Sequence, residues 1–329
     1  MTKVAVIGLG AMGLPMAQKL TEQYDVSVFD LNPVPIAEVV ALGGTAAPSV
    51  AEVVQDADVV VVVVRDGAQL RTVLFSEAGA IAHLKPGSSV IVTSTVGEDA
   101  LIECETKLRE VGVFCIDAAL SGGPVRARTG DLLLLVGGPL EQCSAATEVL
   151  EFLSSTMCVV GPRPGQGQQL KAVNQLLCGI HTAAANEALA LAHELGLDLD
   201  VTLEVLGTGA AASFMFADRG PRIVQQLRGE NPPLRSRLDV IGKDMGIVGD
   251  ITRARKLATP VASAAESLYR MAEAAGVGAQ DDSIVATLLS RHTSRADVKV
   301  SGGAQQTSAD PALDAAAGGE AAVLAGATP

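Results

Sequence analysis

The sequence predicts an α/β fold in its first half, a doubly wound and mostly parallel sheet, joined to a second half made only of helices. Three observations predict it. Short β-branched runs alternate with helix-compatible stretches from Val4 to about Val160, and one of them, Asp58 to Val64, holds six consecutive valines. A strand apolar on both faces belongs to a parallel sheet covered by helices on both sides. Beyond Gly165 no strand pattern recurs. Between the two regimes, the Gly- and Pro-rich stretch Gly161 to Gly165 cannot be regular structure, and it opens a helix-compatible run to about Glu194. A helix of that length spans roughly 40 Å, enough to cross from one domain into another.

The elements follow in order. Val4 to Ile7 is a strand, followed at once by Gly8-Leu9-Gly10-Ala11-Met12-Gly13 and a helical pattern to Leu20. In such a strand–turn–helix unit the first glycine permits the tight turn, Gly10 lets backbone approach a pyrophosphate, and Gly13 allows close helix-on-strand packing. The free N–H groups of the helix start then face the phosphates. Such a unit is expected where a Rossmann-type fold binds a dinucleotide. The next strand, Val26 to Phe29, ends in Asp30, whose carboxylate would accept hydrogen bonds from the adenosine ribose and repel a 2′-phosphate. NAD is therefore expected over NADP.

Pro48 to Val54 reads as a short helix with a capping box from Ser49 to Glu52. The valine strand after it ends at Val64 and Arg65, on the sheet edge where ligands bind, so both are candidates to line the cofactor cleft. A strand over Ser89–Thr93 leads to Ser94 and Thr95, whose hydroxyls either meet the cofactor or cap the helix from Gly97. Val113 to Ile116 is a further strand, and it runs into Asp117 and then Ser121-Gly122-Gly123. Two glycines after a serine expose N–H groups in a nest-like turn suited to a carboxylate. Arg126 and Arg128 read as solvated loop charges. A strand over Asp131–Val136, a helix over Pro139–Leu153 and a strand over Cys158–Val160 complete a first domain at 1–162.

The second domain, 163–295, is expected to hold the long helix and further helices over Val201–Leu206, Ser213–Phe216, Pro221–Leu227, Asp239–Leu257, Pro260–Ala274 and Ser283–Arg291. Lys171 lies in the first turns of the long helix, and Asn174 projects from the same face three residues on. An amine and an amide there can converge on one small ligand. Asp239 and Lys243 have the spacing of an ordinary i,i+4 pair. From about Ala296 the chain turns to Ala, Gly, Ser and Pro, and 296–329 reads as a disordered tail.

Composition bounds the partners. A net charge of −13, with no cluster of Lys and Arg beyond Arg253, Arg255 and Lys256, argues against nucleic acid or an anionic membrane and for a small soluble substrate. The most apolar helical span, Leu176 to Ala192, carries His181, Asn186 and Glu187, which marks a buried helix rather than a membrane one. Five widely spaced cysteines without a CxxC pair read as reduced core residues of a cytoplasmic protein. Four scattered histidines offer no metal site.

Four motifs in one order, GLGAMG at 8–13, DAALSGG at 117–123, GQGQQLKAVN at 165–174 and GKD at 242–244, resemble the β-hydroxyacid dehydrogenase (3-hydroxyisobutyrate dehydrogenase-like) family over roughly residues 3 to 290. The resemblance implies NAD held by the glycine turn with Lys243 in contact with it. It also implies a small hydroxyacid bound by Ser121, Gly122, Gly123 and Asn174, Lys171 as the catalytic residue, and a homodimer or homotetramer. Residues 203–219 look like the L-threonate branch, with Ala212 where that branch has Asn, and the polar Ser213, Asp218 and Arg219 are expected near the cleft. The expected activity is hydride transfer between NAD and the hydroxyacid. Rival readings are an oxidoreductase of 3-hydroxyisobutyrate or of tartronate semialdehyde and glycerate, an imine reductase, and a dinucleotide-binding protein without turnover.

Overall fold

The structure, a computed structural model, describes residues 1–290. The expected tail at 296–329 and the end of the last helix at Arg291 lie outside the described residues.

Eight strands, β1 (Lys3–Ile7), β2 (Asp25–Phe29), β3 (Thr45–Ala46), β4 (Val59–Val62), β5 (Ser89–Val92), β6 (Phe114–Ser121), β7 (Leu132–Gly137) and β8 (Ser154–Gly161), form one sheet in the order β3-β2-β1-β4-β5-β6-β7-β8. Every pairing is parallel except β6 with β7. β1 and β4 are parallel, but successive strands are added on one side of β1 up to β3 and on the other from β4 onward, and this switch in strand order opens a crevice outside the carboxyl ends of β1 and β4. Helices α1 (Gly13–Leu20), α2 (Pro33–Val40), α3 (Val50–Val54), α4 (Gly67–Phe75), α5 (Glu98–Glu110), α6 (Gly123–Thr129) and α7 (Ser144–Leu153) connect the strands.

The four valines of β4 are all fully buried and divide by the two-residue period of a strand. Val59 and Val61 pack into one core with Met16, Leu20 and Val149, while Val60 and Val62 pack into the other with Leu70, Leu74 and Leu101. Tyr24 meets Phe152 edge to face in the first of these cores, ring centres 5.6 Å apart.

The helical half is built around α8 (Gln166–Glu194), against which α9 (Leu199–Thr208), α10 (Phe214–Leu227), α11 (Leu238–Ala254), α12 (Pro260–Ala274) and α13 (Val285–Leu289) are arranged. With few aromatic rings to fill space, helices approach closely through glycine. A Cβ added to Gly179 of α8 would lie 2.1 Å from Met245 Sδ of α11. The same Gly179 offers its carbonyl to Tyr269 Oη of α12 at 2.6 Å.

Several elements differ from expectation, each for a local reason. No element is expected between Asp30 and Pro48, yet Asn32 starts α2, its Oδ1 accepting from Val34 N at 3.1 Å with Pro33 at the first helical position. Asp66, which breaks the valine run, caps α4 by accepting from Gln69 N at 2.9 Å. Ser213–Phe216 and Pro221–Leu227 are one continuous helix, α10, with Pro221 inside it. An interior Pro costs about 3 kcal/mol; the face bearing Phe216, Ile223, Val224 and Leu227 buries enough apolar surface to offset that. Arg126 and Arg128 lie on the short helix α6 rather than a loop. Of the capping box expected at Ser49 and Glu52 the N-cap half forms, Ser49 Oγ accepting from Glu52 N at 3.2 Å, while Glu52 Oε1 accepts from the Ser49 hydroxyl at 3.1 Å rather than from its backbone N–H.

Candidate active site

The glycine-rich turn between β1 and α1 divides its three glycines by task. Gly8 has φ +94°, and a Cβ there would lie 2.1 Å from the Val63 carbonyl oxygen; a Cβ on Gly13 would lie 1.9 Å from the Gly8 carbonyl oxygen. Both are demanded by close packing of backbone on backbone. A Cβ on Gly10 would meet nothing within 4 Å, because Gly10 faces an open cavity. Leu9 is buried beneath the turn, and its N–H donates to Asp30 Oδ2 at 2.6 Å, while Asp30 Oδ1 accepts from Asn32 N at 2.7 Å. The acid at the end of β2 thus ties the glycine turn to the start of α2.

The cavity has a volume of about 670 Å³ and lies at the crevice between β1 and β4. Of the residues expected at the cofactor, Gly8, Gly10, Ala11, Met12 and Asp30 line one end, and Val64, Arg65, Thr95 and Lys243 line the remainder. Leu9 and Gly13 instead support the turn from behind. Lys171 reaches the same cavity together with Leu120 and Asp244. The arrangement fits a dinucleotide: a helix start, a glycine whose missing side chain leaves room for phosphate, and a carboxylate at the far edge.

Lys171, only 7% exposed, donates from Nζ to the Leu120 carbonyl oxygen at 3.0 Å. Burial pushes its pKa below the ordinary lysine value, against the pull of the nearby Asp244 carboxylate. Because Leu120 immediately precedes Ser121, this bond sets the amine beside the expected carboxylate turn. There Gly122 and Gly123 have φ of 136° and 73°, conformations that require glycine. Ser121, Gly122, Gly123 and Asn174 do not line the cavity itself. Asn174 Nδ2 donates to Gln175 Oε1 at 2.8 Å and to Cys178 Sγ at 3.4 Å, and Gln175 Nε2 donates to Asp244 Oδ2.

Four expectations are corrected. Lys243 does not pair with Asp239: its Nζ donates to the Thr95 carbonyl oxygen at 2.7 Å and meets Asp244 Oδ1 at 2.9 Å, while Asp239 is held by Arg237. Ser94 and Thr95 do not cap α5, whose N-cap is Gly97; Ser94 Oγ accepts instead from Val64 N at 2.8 Å. Ser213, Asp218 and Arg219 do not reach the cavity, because Ser213 caps α10 and Asp218 and Arg219 are drawn into an ion-pair cluster with Arg222 and Asp282. The cysteines are all free as expected, yet Cys158 is exposed and Cys178 half-buried, so only Cys104, Cys115 and Cys143 are core residues.

Sequence reasoning gave no role to Gln175, nor to Asp244 and Gln168, although these two stand inside the motifs GKD at 242–244 and GQGQQLKAVN at 165–174, which were the available signal. Among the described residues no group of three or more His, Cys, Asp or Glu side chains is placed to hold a metal, and no helix is long and apolar enough to cross a membrane.

The family described as the NAD binding domain of 6-phosphogluconate dehydrogenase matches residues 3–161, and the one described as NAD-binding of NADP-dependent 3-hydroxyisobutyrate dehydrogenase matches residues 165–289. An L-threonate dehydrogenase of Cupriavidus necator is 38% identical over 283 residues, covering 86% of this chain and 94% of the relative. A 3-sulfolactaldehyde reductase of Escherichia coli is 32% identical over 286 residues, 87% of this chain and 95% of the relative. A solved 3-hydroxyisobutyrate dehydrogenase from Salmonella typhimurium superposes with a TM-score of 0.81 at 35% identity, covering 88% of this chain and all of that one.

Proposed function

The chain belongs to the β-hydroxyacid dehydrogenase family, NAD(P)-dependent oxidoreductases of small hydroxyacids, and from that premise we propose that its substrate is L-threonate and its proton-transfer residue Lys171. One observation carries the role of Lys171. It is a buried amine with a lowered pKa at the edge of the cavity, and it donates to the carbonyl of Leu120, the residue just before the Ser121-Gly122-Gly123 turn.

In oxidation the neutral amine takes the hydroxyl proton of the substrate; in reduction the ammonium form returns it. The nicotinamide cofactor supplies the redox chemistry by accepting or giving hydride. The protein's own residues do the rest. Ser121, Gly122 and Gly123 hold the substrate carboxylate, and Asn174 orients its hydroxyl. Gly8 to Gly13, Asp30, Val64, Arg65, Thr95 and Lys243 hold the cofactor. The labour divides at the start of α8, with 1–162 as the cofactor domain and 163–295 as the substrate and oligomerisation domain.

Homo-oligomerisation, as a dimer or tetramer, is supported by exposed apolar residues on one face of α8, Val173, Leu177 and Leu191, continued by Leu195 at its C-cap and by Val201 and Val205 of α9. Five free thiols suit a cytoplasmic setting. The substrate is tested by measuring NADH formation with L-threonate, 3-hydroxyisobutyrate and D-glycerate at one pH and one NAD concentration. L-Threonate should have the highest kcat/KM. If 3-hydroxyisobutyrate equals it, the substrate assignment is wrong; if none of the acids reduces NAD, the catalytic reading is wrong as well.

A further inference from the structure

Asp117, on β6, is completely buried, and three N–H groups converge on its carboxylate. Oδ2 accepts from Gly165 N at 3.0 Å and from Gln168 N at 2.8 Å, and Oδ1 accepts from Gln168 Nε2 at 3.1 Å. All of these donors belong to the entry turn of α8. Gln168 in turn spends its whole amide on the joint. Its Nε2 also donates to the Ser94 carbonyl oxygen at 3.0 Å, while Oε1 accepts from Val96 N at 3.0 Å and Gly97 N at 3.2 Å. Two donors and both acceptor positions are thereby satisfied, with the side chain 2% exposed.

The loop so gripped is functional ground. Ser94 and Thr95 line the cavity, the Ser94 hydroxyl holds Val64 N, and the Thr95 carbonyl receives Lys243. On the other side of the grip, Lys171 follows Gln168 by three residues on the same helix, one turn further along. Glycine makes the contact close: a Cβ on Gly167 would lie 2.3 Å from the Leu135 carbonyl oxygen and 2.9 Å from Asp117 Oδ2. Gln168 itself does not line the cavity.

We propose that Gln168 is a positioning residue for hydride and proton transfer: its amide clamps the Ser94–Gly97 loop to the turn of α8 that carries Lys171, with Asp117 as the anchor beneath both. The proposal rests on Lys171 being the proton-transfer residue. It assigns the separation between that amine and the cofactor to a short polar joint between the two halves, made by the first turn of α8 on β6 and the loop after β5, rather than to the broad apolar contacts of the helical half. Misplacement of about 1 Å is enough to cost roughly a hundredfold in rate. Loosening the clamp should therefore slow the chemical step while leaving each half of the site able to bind its own ligand.

The test uses the full chain carrying Gln168→Leu, with reduction followed using NADH deuterated at the transferred position. The expected result is a kcat lowered by roughly ten- to a hundredfold, a Kd for NADH within about twofold of the parent, and a larger isotope effect, because hydride transfer has become slower relative to release steps. A purely structural role would reduce the active fraction and leave the isotope effect unchanged.

Gln168→Glu is the companion in case the leucine variant does not fold. The charged groups around position 168 are Asp117 of β6, Glu98 of α5, whose Cγ approaches Gly165, and Lys171 itself. A glutamate keeps the acceptor toward Val96 and Gly97 but sets a second negative charge against Asp117. Its kcat deficit relative to the parent should widen as pH rises and shrink where the new carboxyl is protonated. Parent-like kcat with an unchanged isotope effect in either folded variant overturns the proposal. Lys171→Met, run alongside, separates the two claims: turnover surviving there removes the role of Lys171, whatever the Gln168 variants do.

Discussion

Lys243 of α11 and Thr95 of the loop after β5 are 148 residues apart in the chain and 2.7 Å apart in space, Nζ to carbonyl oxygen. Through this bond the helical half reaches over the cavity and touches the sheet half at its cofactor edge. Lys243→Met should raise the Kd for NADH by roughly tenfold or more, since a hydrogen bond to a charged group contributes about 1.5–3 kcal/mol. Fluorescence titration with NADH checks it, and an unchanged Kd would remove Lys243 from the cofactor site.

Lys171→Ala should lower kcat by roughly two to four orders of magnitude, the range of general acid–base catalysis, with NADH binding nearly intact. The pH dependence follows from the direction of its pKa shift. Burial lowers that pKa, so the neutral form is available at lower pH than for an exposed lysine. The oxidation rate should rise with pH through the lowered pKa, and the reduction rate should fall over the same interval. Replacement of Lys171 should abolish that limb in both directions.

The glycine turn permits a paired test. Gly10→Val adds atoms only to the open cavity, so the melting temperature should hold while NADH binding is lost. Gly13→Ala drives a methyl into the Gly8 carbonyl and should destabilise the fold by roughly 1–3 kcal/mol, as overpacking does. Equal melting temperatures for the two variants would contradict the division of roles.

Asp30→Asn retains one oxygen to accept from the Leu9 N–H while removing the charge and the second acceptor that holds Asn32 N. The ratio of kcat/KM for NAD over NADP should fall, because repulsion of the 2′-phosphate disappears while the turn remains held. A strong preference for NADP in the parent protein would sink the assignment at once.

What was legible in the sequence was whatever is written in local spacing. The β1–turn–α1 unit, the doubly buried valine strand and the helix bearing Lys171 are all set by periodicity and glycine placement within about twenty residues. The helices α2 and α4 were not, because Asn32-Pro33 and Asp66-Gly67 carry the same residues that make turns, and the same side-chain oxygen serves either purpose. Continuity of α10 through Pro221 depends on the core it meets. At the site, Lys171 and Asp30 were readable from their place after a turn and a strand. The joint of Asp117 with Gln168 was not, since its hydrogen bonds join residues 51 positions apart. Ser213, Asp218 and Arg219 look like ligands in the sequence because polarity does not reveal whether a charge already has a partner.

The scarcity of rings has an experimental consequence. The chain has no tryptophan and two tyrosines, one for each half: Tyr24 against Phe152 in the sheet core, and Tyr269 bonded to Gly179 in the helical core. Near-ultraviolet dichroism of the native protein therefore draws on one tyrosine reporter in each half, and Tyr24→Phe or Tyr269→Phe would silence one at a time. Thermal melts of the two variants would then show whether the sheet and the helices come apart together or in sequence, without attaching any dye.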